Sequence, residues 1–356
     1  MSHRKKGFGL TPQGIESHLY TIRNKTGFQA SVADYGATLT ELIIPTSGGR
    51  TIDVILGFDR LSGYLKNDSY FGSTVGRVAS RISNGAFDLD GTNYFLDKNE
   101  GEHHLHGGTN GFNSQIWEEC SADKTENSTV RFCYESPDGE SGYPGNAQVT
   151  VEYTMMEDGL RIDYRAETDK PTPINMTAHP YFNLNENGQD ISGHSLKIFS
   201  HQILEFDDKL IPTGNILDIS GSNADFTDFS SINGSSSGGA TSFFPVEYDH
   251  FYELDSRKGE LSVCAIAKSE STGLELEIAT TQPGLQFYSG DGIPKGTVGK
   301  RGSTYGPRSG FCLEPEGYPD APNNPNFPSV ILHPGEVYVH STEYRFRELN
   351  TLNKTD

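Results

Sequence analysis

The sequence predicts an all-β protein built as a large antiparallel β-sandwich. Most of the 356 residues follow a period of two, with strand-forming runs punctuated by Gly, Asp, Asn and Pro in place of long amphipathic helices. Turn dipeptides stand between paired runs, and the resulting hairpins recur at regular spacing, which favours sheets packed face to face.

In chain order, AFDLDGTNYFL is a hairpin with its turn at Asp90-Gly91. The clearest hairpin is QVTVEYTMMEDGLRIDYRAET, where Val149, Val151 and Tyr153 approach Asp158-Gly159 and Leu160, Ile162 and Tyr164 return. The dipeptide is expected to supply the positive φ of a tight turn. ELSVCAIAKSESTGLELEIATT repeats the pattern more loosely around Thr272-Gly273. Residues 230–242, SSINGSSSGGATS, have almost no apolar content and predict a mobile surface loop. No shift of composition or charge marks a boundary, so residues 1–356 read as a single domain. No fixed-period repeat is visible, which disfavours a propeller.

The 48 acidic and 28 basic residues leave a formal charge of -20, which repels phosphate backbones and anionic membranes. The chain has no apolar run long enough for a transmembrane helix, and MSHRKKGFGL lacks the apolar stretch of a signal peptide. The expectation is a soluble cytoplasmic protein, a monomer or weak homodimer, with no nucleic-acid or membrane partner. Sequons at Asn24, Asn67, Asn127, Asn175, Asn233 and Asn353 are read as chance matches. Cys120, Cys133, Cys264 and Cys312 lie apart in sequence, without zinc or redox spacing, and are expected to be reduced thiols.

Three stretches carry side chains suited to chemistry. In NEGEHHLHGG, His104 and His106 would share a face of a strand, as metal ligands do, but GGTNGFNSQIW offers no nearby third ligand. No metal is expected; His103 and His104 read as exposed turn residues, and His106 as the one facing inward. In INMTAHPYFNL, His179 lies among apolar and aromatic residues, where it is either a satisfied core histidine or, beside a polar cleft, a proton donor. In SGFCLEPEGYPDAPNN, Glu314 ends a strand-like run at a sheet rim, and Glu316 reads as solvated.

Together with GRVASRISNGAF, SGYPGNAQVTVEY, YDHFYEL and TTQPGLQFYSG, these stretches run in the order found in aldose 1-epimerases (galactose mutarotases). The chain resembles that family from about residue 30 to about residue 345. The resemblance implies a β-sandwich of the galactose mutarotase type that interconverts the α and β anomers of hexoses such as galactose and glucose, without a cofactor. It implies Glu314 as general base, His179 as general acid and His106 as a second histidine near the ring oxygen. Arg81, Asp249 and Gln282 match substrate-binding residues; on the residues alone they would read as a surface ion pair, a turn carboxylate and a solvated amide. His250 and Tyr181 lie in family motifs and are assigned packing or orienting roles.

Three positions depart from the family pattern: Ser80 and Ala178 stand where Asn is usual, and Phe251 where Asn is common, next to Asp249. An Asn side chain can orient a neighbour or a sugar hydroxyl and Ala cannot, so these departures bear on substrate preference. Rival readings are an epimerase of phosphorylated hexoses using Lys295, Lys300, Arg301 and Arg308, a non-catalytic carbohydrate-binding protein, and a metal enzyme using His104 and His106.

Overall fold

The computed structural model describes residues 4–120, 128–185, 190–233, 247–256 and 259–349. Strands dominate. The largest sheet has nine antiparallel strands in the spatial order Glu118–Cys120, Thr129–Ser136, Ala147–Met155, Gly159–Thr168, Tyr338–Glu348, Leu274–Thr280, Ser262–Ser269, His194–Ile198 and Ser230–Ser231. A five-stranded sheet runs from Arg4–Leu10 through Glu16–Arg23, Gln29–Ala33 and Thr38–Pro45 to Thr51–Asp53. A second has the order Pro212–Asp218, Gln202–Phe206, Asp249–Glu253, Gly284–Tyr288 and Cys312–Glu316. One apolar cluster joins all three, including Tyr20 and Val32, Phe132 and Val151, and Leu285, Phe287 and Leu313. Each sheet thus covers the apolar face of another. No helix among the described residues is long and apolar enough to cross a membrane.

All three hairpins form. Asp90 and Gly91 both have positive φ, at 53° and 77°, as the turn between Ala86–Leu89 and Thr92–Phe95 requires. Gly273 has φ of 70° between Ser262–Ser269 and Leu274–Thr280. The expected role of Asp158-Gly159 is corrected: Met156 donates its N–H to the Gly159 carbonyl at 2.8 Å, so Glu157 and Asp158 make the turn, and Gly159 begins the returning strand. Gly159 matters for space, since a Cβ there would lie 1.9 Å from the Tyr344 carbonyl oxygen on the neighbouring strand.

Two further expectations are overturned. Cys120 and Cys133 form a disulfide with Cα atoms 5.9 Å apart. Their strands pair antiparallel, with Cys120 opposite Arg131 and Cys133 opposite Glu118, so a separation that looks wide in sequence closes as the chain folds back. Cys264 and Cys312 are free and buried. Within residues 230–242, Ser230–Ser231 add a strand to the nine-stranded sheet and Ile232 is fully buried, which corrects the loop expectation there. Residues 234–242 lie outside the described residues.

Candidate active site

The strands Gly284–Tyr288 and Cys312–Glu316 place the key side chains by alternation. Leu285, Phe287 and Leu313 enter the apolar core, so Gln286, Tyr288, Cys312, Glu314 and Glu316 project from the opposite face. Register sets Gln286 directly opposite Glu314, and Asp249 opposite Tyr288 on the next strand. Loops close this face into a cleft lined by Ser80, Arg81, His106, His179, Asp249, Gln286 and Glu314, with Tyr70, Tyr181 and Tyr288 as aromatic walls.

Glu314 and His179 face each other, with Oε1 3.5 Å from Nε2. Both are almost fully buried, and Glu314 Oε2 has no hydrogen-bond partner among the described residues. Burial raises the Glu314 carboxyl well above the usual carboxylate range, reinforced by the Glu316 and Asp249 carboxyls. The same burial lowers His179 to about 4. Both shifts favour a neutral acid beside a neutral ring over a permanent ion pair.

His106 reaches the cleft from a two-residue strand, His104–Leu105, that pairs with Arg81–Ile82. Its own φ is 53°, and Gly107 follows because a Cβ there would lie 1.7 Å from the Gly76 carbonyl oxygen. The Ser80 N–H donates to His106 Nδ1 at 3.2 Å, and the His106 N–H donates to the Ser80 carbonyl at 3.1 Å. Nδ1 as acceptor leaves the ring proton on Nε2 of the neutral ring. Burial, with His179 and Arg81 nearby, lowers its pKa well below 6.5, so the ring stays neutral at pH 7.

Arg81 is held by a forked pair with Glu100, Nε to Oε2 at 2.6 Å and a terminal nitrogen to Oε1 at 2.7 Å. That geometry fixes the guanidinium plane at the cleft wall. Asp249 accepts from Gln286 Nε2 at 2.5 Å, and burial raises its carboxyl while Arg81 opposes the shift.

Five of the six residues singled out in the sequence, Glu314, His179, His106, Arg81 and Asp249, therefore line one cleft. Gln282 does not: its Nε2 donates to Tyr338 Oη at 3.0 Å, bracing the nine-stranded sheet. Gln286 occupies the cleft instead, and LQFY alternation was the available signal, because Leu285 and Phe287 face the core and turn Gln286 the other way. Tyr70 was also missed. It has φ of 56°, and its ring lies 4.8 Å from that of His106 and 6.0 Å from that of His179, with its hydroxyl raised to about 12 by burial. Tyr181 takes an orienting position 5.0 Å from the His179 ring, while His250 lies beside Asp249, whose N–H donates to its Nδ1 at 3.4 Å.

Other expectations change with burial. His103 and His104 are not exposed turn residues: His104 is fully buried, Nδ1 on the Asp97 carbonyl at 2.7 Å and Nε2 on Tyr143 Oη at 2.8 Å, while His103 Nδ1 accepts from the Asn84 N–H. With both ring nitrogens engaged, His104 is not free to ligate an ion beside His106. Glu316 is fully buried, not solvated. Phe251 and Ala178 are buried and do not line the cleft; the Phe251 ring lies over Gly284, where a Cβ would meet it at 1.8 Å. None of Lys295, Lys300, Arg301 and Arg308 lines it either. Lys300 is buried against Asp53, and Arg301 pairs with Glu41 and Asp53. Among the described residues, His179, Cys312 and Glu314 could hold a metal, with ligand atoms within 4.8 Å of one another. As the ring stands, however, Nδ1 faces the thiol at 3.4 Å and Nε2 the carboxylate, so the two partners address different nitrogens.

The aldose 1-epimerase family model matches residues 18–345. The chain belongs to the aldose 1-epimerase family. It is 42% identical over 341 residues to the galactose mutarotase of Bos taurus, covering 95% of this chain and 97% of that protein. It is 35% identical over 347 residues to the aldose 1-epimerase of Escherichia coli K12, again covering 95% and 97%. A crystal structure of a GalM/aldose epimerase homologue from C. elegans superposes with a TM-score of 0.86 at 31% identity, covering 94% of this chain and 100% of that one. The fold is therefore that of the galactose mutarotase type, and membership places the chain in an isomerase family.

Proposed function

We propose that this cleft carries out the family reaction, aldose 1-epimerisation, on free hexoses such as galactose and glucose. The relatives' activities support the reaction type, and one observation carries the residue assignment: Glu314 and His179 face each other at 3.5 Å in a buried polar cleft. Interconverting anomers requires a base to take the C1 hydroxyl proton and an acid to protonate the ring oxygen, so that the ring opens, turns about C1–C2 and closes on the other face.

Glu314 is the base and His179 the acid, and on reclosure they exchange roles. The raised Glu314 carboxylate takes up the C1 proton more firmly than an ordinary carboxylate, and the lowered His179 imidazolium gives up its proton more readily than an ordinary one, so both shifts favour the opening step. His106, neutral with its proton on Nε2, donates a hydrogen bond toward the ring oxygen and shields the proton transfer from reversal by solvent. Arg81, fixed by Glu100, and Asp249 with Gln286 hold sugar hydroxyls and set the ring's register.

Polarimetry of freshly dissolved α-galactose tests this reading. Glu314→Gln and His179→Asn should each slow mutarotation by about 10²- to 10⁴-fold, the range for losing a positioned acid or base. Near-normal rates in both variants would overturn the assignment.

A further inference from the structure

Ser80 lines the cleft beside Arg81, and the structure gives its hydroxyl a partner. Ser80 Oγ donates to Glu316 Oε1 at 2.6 Å, both residues being buried. Ser80 is the only hydrogen-bond partner of that carboxyl among the described residues, since Glu316 Oε2 has none. On its other side Ser80 grips His106 by main chain alone, donating its N–H to Nδ1 and accepting the His106 N–H at its carbonyl. The backbone at Ser80 is left-handed, with φ of 61°, a conformation that a non-glycine residue holds only where its surroundings fix it.

We propose that Ser80 and Glu316 form a positioning pair for this reaction: Glu316, behind the cleft wall, anchors the Ser80 hydroxyl, and Ser80 thereby fixes the ring and tautomer of His106. The inference rests on the reading of His106 as a cleft donor. Glu316 lies two residues beyond Glu314 on the same strand face but does not line the cleft, so it acts through Ser80 and touches no substrate. Burial raises its carboxyl to about 8. At neutral pH it is mostly the uncharged acid, and what it offers Ser80 is an acceptor oxygen that a glutamine amide would offer equally.

This makes the pair separable by substitution. Ser80→Gly keeps the left-handed backbone unstrained and removes the hydroxymethyl group, and with it the bond to Glu316. Glu316→Leu keeps the bulk and removes the acceptor, whereas Glu316→Gln keeps both. With folding checked by thermal unfolding, Ser80→Gly and Glu316→Leu should lower kcat about 10- to 100-fold with little change in KM, the cost of about 1 Å of misplacement. Glu316→Gln should remain within about 3-fold of the native rate, because the hydrogen bond survives. The ¹⁵N signals of His106 should read Nδ1 as unprotonated in the native protein and move toward a tautomer mixture in Ser80→Gly and Glu316→Leu only.

Native kcat and an unchanged His106 tautomer in Ser80→Gly would overturn the proposal even if Glu316→Leu does not fold. A Glu316→Gln variant as slow as Ser80→Gly would overturn it too, because the acceptor alone would then not suffice. Glu314→Gln, measured alongside, keeps the two readings apart: its failure to slow turnover would strike the acid and base assignment, whereas a fast Ser80→Gly beside a slow Glu314→Gln strikes only the positioning pair.

Discussion

His179 stands between two side chains of one strand face, its Nε2 3.5 Å from Glu314 Oε1 and its Nδ1 3.4 Å from Cys312 Sγ. Cys312 and Glu314 are two residues apart on the strand Cys312–Glu316, so strand alternation alone presents both to the ring. The pair is competent when it holds one proton, and this sets its pH behaviour.

Burial lowers His179 to about 4 and raises Glu314 well above the usual carboxylate range. Below about pH 4 both groups are protonated and no base remains; above the raised value of Glu314 both have lost the proton and no acid remains. The profile of kcat/KM should have its acid limb near 4 and should fall on the alkaline side as pH passes the raised value of Glu314. Polarimetry across that range, with circular dichroism to follow folding, checks this, and an acid limb near 6.5 would contradict the burial of His179.

The two glutamines of TTQPGLQFY should behave differently. Gln286→Ala removes a cleft amide bound to Asp249 and should raise KM for galactose about 10-fold with the fold intact, the size of one lost hydrogen bond of about 1 kcal/mol or slightly more. Gln282→Ala breaks the contact with Tyr338 Oη and should leave KM unchanged while lowering thermal stability. Steady-state kinetics and melting curves on both variants separate the roles.

A phosphate on the sugar should bring no advantage. Lys300 and Arg301 are committed to Asp53 and Glu41, and none of the four loop cations lines the cleft. The kcat/KM for glucose 6-phosphate should therefore not exceed that for glucose, and a clear preference for the phosphorylated sugar would revise the substrate class.

Reducing the Cys120–Cys133 disulfide should destabilise the protein by about 2–3 kcal/mol, as expected for closing a loop of this length. The bond ties the edge strand Glu118–Cys120 of the nine-stranded sheet to its neighbour Thr129–Ser136, and neither cysteine lines the cleft. Urea unfolding with and without reductant measures the loss, and mutarotation of the reduced protein should be unchanged.

The sequence by itself determined the strand content, the three hairpins and five of the six proposed site residues. Period two and turn dipeptides are local signals, and the ordered motifs carry side chains whose chemistry survives without coordinates. What it left open were relations between distant segments. Alternation in LQFY turns Gln286 away from the core, but only register sets it opposite Glu314 and leaves Gln282 against Tyr338. His104, Glu316 and the cysteine pair looked exposed or unpartnered because their partners, Tyr143, Ser80 and each other, come from other strands and loops. Burial decides whether a polar group is solvated or must be paired, and burial is a property of the packed sheets. That is why the residues proposed as acid and base could be named from the chain's motifs, while their shifted proton affinities, and the Ser80–Glu316 contact behind His106, were decided only by the tertiary structure.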